Sequence, residues 1–252
     1  MRILIISDIH ANLEGMDASL AAAPAHDLVL NLGDVVGYGA SPNEVTERSR
    51  KLGKHIVRGN HDKACTGVSG VDGFNPIAGL AALWTMKELT PENLEFLKAL
   101  PQGPLKVDDH ETVQLVHGSP LDEDEYIIVQ RDAYEPLTKA TVPITFFGHT
   151  HIQGGFSSNA EGQWTTIRPM YRSKDKVETF DLQLAAGTKY LLNPGSIGQP
   201  RDGDPRAAFL SYDTEKNVVT FHRVPYDIKG AQKRILDAKL PDRLALRLAD
   251  GR

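Results

Sequence analysis

The sequence predicts an α/β fold with two β-sheets, and three features carry that expectation. The first sixty residues alternate short apolar runs with helical patterns, the order of repeated βα units. Five apolar runs along the chain end in side chains able to bind a metal ion. The last third changes to strand-like runs separated by turn-rich segments, the pattern of antiparallel hairpins forming the second sheet of a two-sheet sandwich.

Residues 2–7 form a β-branched and Leu-rich run, a central parallel strand that ends in Asp8-Ile9-His10. Two residues apart in extended chain, Asp8 and His10 point to one side. Leu13, Met16 and Leu20 then recur at helical spacing, with Asn12 as N-cap and Pro24 beyond the stop. The strand at 28–32 runs into Gly33-Asp34-Val35-Val36-Gly37-Tyr38-Gly39, where glycines permit a tight turn beside the sheet edge. A second helix spans 41–52, with Pro42 in its first turn and Gly53 as its stop. Residues 54–58 read as a third parallel strand, delivering Gly59-Asn60-His61-Asp62 to a turn at its C-terminal edge, where open α/β sheets place their chemistry.

A Gly-rich loop covers 63–74, and helical patterns at 76–89 and 91–100 form a pair beside the site; 63–100 is thus a helical segment near it. Phe74 and Trp84 read as core or helix-packing residues, with substrate contact as the alternative. The strand at 112–116 ends in His117-Gly118-Ser119. The acidic run at 121–125 reads as a solvated loop or helix start ahead of a metal site, because several adjacent carboxylates cannot converge on one ion. The strand at 142–147 ends in Gly148-His149-Thr150-His151. Strand-like runs at 164–167, 177–182, 190–192, 207–211 and 218–222 follow, then a helix at 228–239 and a charged tail.

Composition limits what these motifs can mean. A length of 252 residues suits one large α/β domain, 1–252. Hydrophobic residues at 40% and charged residues at 24% are ordinary for a globular protein. No run approaches the ~18 apolar residues of a membrane span, so no membrane partner is expected. Met1-Arg2 leads directly into Ile3-Leu4-Ile5-Ile6 without a cleavage signal, from which a cytoplasmic location is expected. Cys65 is the sole cysteine, so a metal must be held by His, Asp, Glu or Asn. A net charge of -5 offers no footprint for stable nucleic-acid binding, although it leaves a small nucleotide open.

The strand ends collect Asp8, His10, Asp34, Asn60, His61, His117, His149 and His151 at the same edge of one sheet. An uncompensated cluster of this kind costs desolvation energy, which a cation offsets. Mixed His, Asp and Asn donors without thiolate suit divalent Mn, Fe, Zn or Ni, with Mn favoured, and suffice for two ions.

Asp8-x-His10, Gly33-Asp34, Gly59-Asn60-His61-Asp62, His117-Gly118 and Gly148-His149-Thr150-His151, in that order, resemble the five motifs of the calcineurin-like metallophosphoesterase superfamily. The resemblance spans most of the chain. It implies a four-layer αββα sandwich of two mixed β-sheets flanked by helices. It implies that Asp8, His10, Asp34 and His151 hold one metal, that Asp34, Asn60, His117 and His149 hold the other, and that His61 protonates the leaving oxygen. The implied reaction is hydrolysis of a phosphoester by a hydroxide held between the ions.

Protein phosphatases of the superfamily resemble Gly-Asp-x-Val-Asp-Arg-Gly at the second motif and end the third in Glu. Here Gly37, Tyr38 and Asp62 occupy the corresponding positions. Loss of a bidentate arginine clamp disfavours monoester dianions and favours a phosphodiester. Compact size and the segments Asn193-Pro194-Gly195-Ser196 and Arg201-Asp202-Gly203-Asp204-Pro205-Arg206 look like the small bacterial and archaeal phosphodiesterases. Asn193 to Ser196 are expected to support a ligating His. Arg58 reads equally as a support of the third motif and as a surface Arg, and Arg201 as a substrate contact or a turn residue. The expected partner is a small phosphoester, with nucleotides among the candidates. A phosphomonoesterase, a dinucleoside polyphosphate hydrolase and a noncatalytic metal-binding scaffold are the alternatives.

Overall fold

A computed structural model describes residues 1–108 and 110–252. The elements are β1 (Arg2–Ile6), α1 (Leu13–Ala22), β2 (Leu28–Asn31), α2 (Pro42–Leu52), α3 (Asn60–Cys65), α4 (Pro76–Glu88), α5 (Pro91–Lys98), β3 (Leu105–Val107) and β4 (His110–Val116). They continue with α6 (Gln130–Lys139), β5 (Ile144–Phe147), β6 (Gly154–Ser158), β7 (Trp164–Ile167), β8 (Glu178–Gln183), β9 (Lys189–Asn193), β10 (Ala207–Asp213), β11 (Val218–Val224), α7 (Ile228–Asp237) and α8 (Asp242–Leu246).

One sheet has the order β2-β1-β10-β11-β8 and the other β3-β4-β5-β9-β6-β7. Alternation along β1 explains the layers. Ile3 and Ile5 pack with Val113, Leu115, Ile144, Phe146 and Leu192 of the second sheet, which makes the core between the sheets. Leu4 and Ile6 face the other way, onto Met16, Val45 and Leu97 of the helices. On the far side of the second sheet, Val116, Phe147 and Leu191 meet Ala133 and Leu137 of α6. The result is the helix–sheet–sheet–helix sandwich expected.

Several expectations hold in detail. Asn12 caps α1, its side chain accepting from Gly15 N, Pro42 opens α2 and Gly53 ends it. Others are corrected. The run at 54–58 contributes one parallel bridge, Asn31 to Ile56, and no strand. Asn60 and His61 open helix α3, where a turn was expected. The C-terminal strands do not make a sheet of their own. β8, β10 and β11 complete the sheet begun by β1 and β2, whereas β6, β7 and β9 join β3, β4 and β5, and β9 pairs in parallel with β5. The motif-bearing strands therefore belong to two sheets, and their polar ends meet where those sheets lie face to face. No helix among the described residues is long and apolar enough to cross a membrane.

His222 in β11 gives the fold a measurable pH dependence. Its ring stacks on Phe209 at 4.5 Å, its Nε2 lies 2.8 Å from Ser211 Oγ, and burial pushes its pKa down to about 4. The folded protein holds this ring neutral, whereas the unfolded chain takes up a proton near pH ~6.5. The stabilisation is thus present above that value and is lost as pH falls toward 4. Between about pH 7.5 and about pH 5, urea unfolding is expected to show a loss about 2 kcal/mol smaller in His222→Gln than in the wild type.

Candidate metal centre

The seven residues singled out as ligands come together. One ligand atom from each of Asp8, His10, Asp34 and His151 lies within 4.8 Å of the others, and Asp34, His117 and His149 satisfy the same limit. Asp34 belongs to both groups. Asn60 Oδ1 lies 3.2 Å from His117 Nε2, so it joins the second group.

Each imidazole is oriented by a main-chain carbonyl. Nδ1 of His10, His117 and His151 donates to the carbonyls of Val36 (3.1 Å), Leu32 (2.8 Å) and Gln199 (2.7 Å). His149 is turned the other way, its Nε2 donating to Asp124 O at 3.1 Å. In each ring the nitrogen that donates leaves the other as a lone pair aimed at the centre. Those lone pairs face each other in two pairs, His10 Nε2 to His151 Nε2 and His117 Nε2 to His149 Nδ1, each at 3.1 Å.

The carboxylates show the same division. Asp8 Oδ2 accepts from Ser7 Oγ (2.6 Å) and His149 N (3.2 Å), and Asp34 Oδ1 accepts from His61 N (2.8 Å). The other oxygens, Asp8 Oδ1 and Asp34 Oδ2, are buried without a hydrogen-bond partner among the described residues. They look toward the imidazoles: Asp8 Oδ1 is 3.2 Å from His151 Nε2, and Asp34 Oδ2 is 3.4 Å from His117 Nε2 and 3.5 Å from His10 Nε2. Buried carboxylate oxygens without donors, surrounded by convergent imidazole lone pairs, fit divalent cations.

Electrostatics agree. Burial alone would raise the carboxyls, yet His151 holds Asp8 and His117 holds Asp34 well below the ordinary carboxylate range. Burial works against a charge on His117, but Asp34 outweighs it and pushes that ring up to about 10. Burial pushes His10 and His151 down, and His149 down to about 3. Asp34 thus demands a positive charge beside it, which a proton on His117 or a cation supplies.

Strain is concentrated in the same place. Among the described residues nine non-glycine positions have positive φ, and seven of them are Asp8, His10, Ala11, Asp34, Tyr38, His149 and His151. Asp8 (φ 52°) and His10 (φ 49°) therefore reach the centre through a left-handed turn after β1, and the expectation of extended-chain alternation fails. Each such conformation costs roughly 1–3 kcal/mol and persists only where surrounding contacts impose it. Gly59 is part of that enforcement, since a Cβ there would stand 2.0 Å from Asp34 Oδ1.

His61 lies apart from the two ligand groups. Its ring is 4.9 Å from that of His10, 4.2 Å from Tyr38 and 4.7 Å from Phe74, and burial pushes its pKa down to about 4. It lines a cavity of about 310 Å³ together with Asn60, Lys63, Phe74, Tyr126 and His149. Phe74, read as packing ahead of substrate contact, packs against core residues and also borders His61. Trp84 keeps its packing role. Asp62 accepts from Gly59 N (2.9 Å) and Val36 N (3.2 Å), closing the first turn of α3; burial and then Asp34 push it up to about 7.

The acidic run is a loop, as expected, but Glu123 within it is buried, which corrects the solvated reading. Arg58 grips Glu123 through Nε (3.0 Å) and a terminal nitrogen (2.7 Å), and Lys63 binds Glu123 (3.0 Å) and Asp124 (2.6 Å). Those ties anchor the loop whose Asp124 carbonyl meets His149, so Arg58 is paired with a buried carboxylate and contacts that loop through Glu123. Asn193 donates to Gly148 O (2.8 Å) and Thr150 Oγ1 (3.0 Å), and Ser196 Oγ donates to Asp8 O (2.7 Å), so the expected support from this segment is present. Tyr126, which stacks on His149 at 3.8 Å, had no sequence signal because it follows a patternless acidic loop. A larger cavity of about 780 Å³, bordered by Ile128, Gln153, Tyr171 and Arg223, contains none of the seven residues.

The sequence model of the calcineurin-like phosphoesterase superfamily domain matches residues 1–217. The chain belongs to this superfamily. It is 36% identical over 256 aligned residues to an uncharacterized protein of Methanocaldococcus jannaschii, covering 99% of this chain and 98% of that one. A metallophosphoesterase from Sphaerobacter thermophilus is similar along the whole chain, at 39% identity and a TM-score of 0.84, with 100% of this chain and 99% of that one covered. A hypothetical protein from Pyrococcus horikoshii, at 20% identity and a TM-score of 0.77, shares the fold, with 100% and 98% covered. As a calcineurin-like phosphoesterase, the chain comes from a superfamily that uses divalent metals, and its clustered donors agree with that.

Proposed function

We propose that this phosphoesterase is a dinuclear-metal hydrolase with a preference for phosphodiesters. The observation that carries the metal reading is the shared orientation of four imidazoles, each pinned by a carbonyl so that its free nitrogen faces the buried oxygens of Asp8 and Asp34. In this reading Asp8, His10, Asp34 and His151 hold one ion, and Asp34, Asn60, His117 and His149 the other. When bound, two such ions, Mn favoured over Fe, Zn or Ni, supply an activated water and positive charge for the nonbridging oxygens.

The chain's own side chains do the rest. Phe74, Tyr38 and Tyr126 border His61 and His149, keeping bulk water from the reacting phosphate. His61 is the proton donor to the leaving oxygen. Burial keeps its ring neutral in the free protein, and the negative charge of an arriving phosphoester favours its protonation. The diester preference rests on Tyr38, which occupies the position of the phosphatase clamp. A second reading, monoester hydrolysis, is favoured by Arg201: its guanidinium donates to Tyr38 Oη at 3.2 Å and brings a positive charge back to that position.

Three outcomes are expected. Elemental analysis after reconstitution with Mn is expected to find close to two ions per chain and, because Asp34 is shared, a loss at both positions in Asp34→Asn. An intact chain that takes up one ion at most overturns the dinuclear reading.

In the Mn-loaded protein, bis(p-nitrophenyl) phosphate is expected to give a higher kcat/KM than p-nitrophenyl phosphate. A clear win for the monoester decides for the second reading.

His61→Ala is expected to keep its metal while losing ~10²–10⁴-fold in kcat on a diester with an alkoxide leaving group. The loss on a nitrophenyl diester is expected to be mild, because nitrophenolate departs without a proton. Equal losses on both substrates would show that His61 positions the phosphate and donates no proton.

A further inference from the structure

A second cavity, of about 640 Å³, adjoins the one at the metal centre, and Tyr38 and Asn75 line both. Its remaining walls include Arg243, Arg247 and Arg252. Tyr38 is the partition. Its ring centroid lies 4.2 Å from that of His61 and 4.7 Å from that of His10, while the guanidinium carbons of Arg201 and Arg247 lie 5.7 Å and 6.0 Å from it.

Among the described residues no aspartate or glutamate lines this cavity, and none pairs with its arginines. Arg247 Nε donates to the main-chain oxygen of Arg252, and the side chains acting on Arg247 are Arg201, Tyr38 and Arg243. Arg201 Nε is a buried donor without a hydrogen-bond partner among the described residues. Like charges brought together in this way repel one another, and besides burial each of Arg201 and Arg243 lowers the pKa of Arg247. The scaffold nonetheless fixes them there: Leu244, Ala245 and Leu248 are buried in a cluster with Tyr38, Ala78, Ala81 and Ile235, so the arginine-bearing turns are docked. In a chain with a net charge of -5, this concentration of guanidinium groups without an aspartate or glutamate partner among the described residues is a local exception. Planar guanidinium forks match the oxygens of a phosphate.

We propose that the arginine-lined cavity binds a second phosphate group of the substrate, so that the preferred substrates are phosphodiesters carrying a further terminal phosphate, as phosphorylated nucleotides do. The inference rests on the diester reading above and adds a substrate class to it. The scissile phosphate lies on the His61 side of Tyr38 and the additional phosphate on the Arg247 side, with the connecting part of the substrate passing the tyrosine ring.

The test uses the Mn-loaded full chain and two chromogenic diesters, thymidine 5′-(p-nitrophenyl phosphate) and the same compound bearing a 3′-phosphate. A charge-assisted contact worth about 1.5–3 kcal/mol corresponds to a preference of roughly 10–100-fold in kcat/KM for the 3′-phosphorylated compound. Arg243→Gln and Arg247→Gln are each expected to bring that ratio down by ~5-fold or more, with Arg247→Lys retaining part of it. Because the ratio is taken within one preparation, a partly folded variant does not distort it, and Arg243 is exposed, where replacements usually change stability little. A wild-type ratio near one, or a ratio that survives both glutamine variants, overturns the second-phosphate site while leaving the diester reading standing. Failure to hydrolyse either diester, with p-nitrophenyl phosphate turned over, overturns the diester reading and this inference with it.

Discussion

Two carboxylates withdrawn from water, Asp8 and Asp34, are the constraint to which the rest of the molecule answers. Neither is more than 1% exposed, and each leaves one oxygen without a donor. A buried ionised carboxylate is tolerated only with compensating charge or hydrogen bonds. Here the compensating charge is a proton on His117 or a cation at the centre, around which four imidazoles from three separate strand ends converge, and each ring is itself held by a carbonyl from another segment. Removing one carbonyl contact would free a ring to rotate, and the lone pair that faces the carboxylates would be lost.

That constraint explains why the two sheets are stacked as they are. Asp8, His10 and Asp34 follow β1 and β2 of one sheet, whereas His117, His149 and His151 follow β4 and β5 of the other. The apolar core between the sheets fixes their spacing, and the polar centre sits at its rim. Close approach there needs residues with no side chain. A Cβ at Gly148 would stand 2.1 Å from Ser7 Oγ, and one at Gly198 would stand 1.9 Å from Ile9 O. These contacts join the sheets directly at the site, so the centre's geometry and the packing of the sandwich are set together.

The legibility of the site in sequence follows from the same arrangement. Apolar strands such as Ile3-Leu4-Ile5-Ile6 announce themselves by composition, and a polar pair at the end of each stands out against them. What the sequence does not carry is which strand neighbours which. β9, with Tyr190, Leu191 and Leu192, looks like a hairpin strand, yet it pairs in parallel with β5, a long-range choice made by packing. β6 begins Gly154-Gly155 and has little apolar alternation, and α6 contains Pro136, so local propensity argued against both. The segment at 54–58 has strand composition but only one bridge, because the chain turns immediately into α3, whose first turn Asp62 closes. Tyr126 and the carbonyl of Asp124 act through position alone, and a carbonyl has no sequence signature at all.

Position 38 shows how charge is redistributed when one residue changes. A tyrosine cannot grip a phosphate as an arginine does, but its ring offers two faces and a hydroxyl. Arg201, far along the chain, donates to that hydroxyl, and Arg247 approaches the same ring. Burial raises the pKa of Tyr38 and keeps the hydroxyl neutral, so it accepts from Arg201 without cancelling its charge. The positive charge is therefore present, but it stands behind an aromatic wall and is supplied by residues from the C-terminal part of the chain. A guanidinium held in that way stands farther from the ligand cluster than one carried at position 38 itself would, and on the proposed second-phosphate site it is the group left to meet another anion of the same substrate. On that proposal, substrate choice depends on what the C-terminal segment brings to the edge of a centre whose own residues come from earlier in the chain.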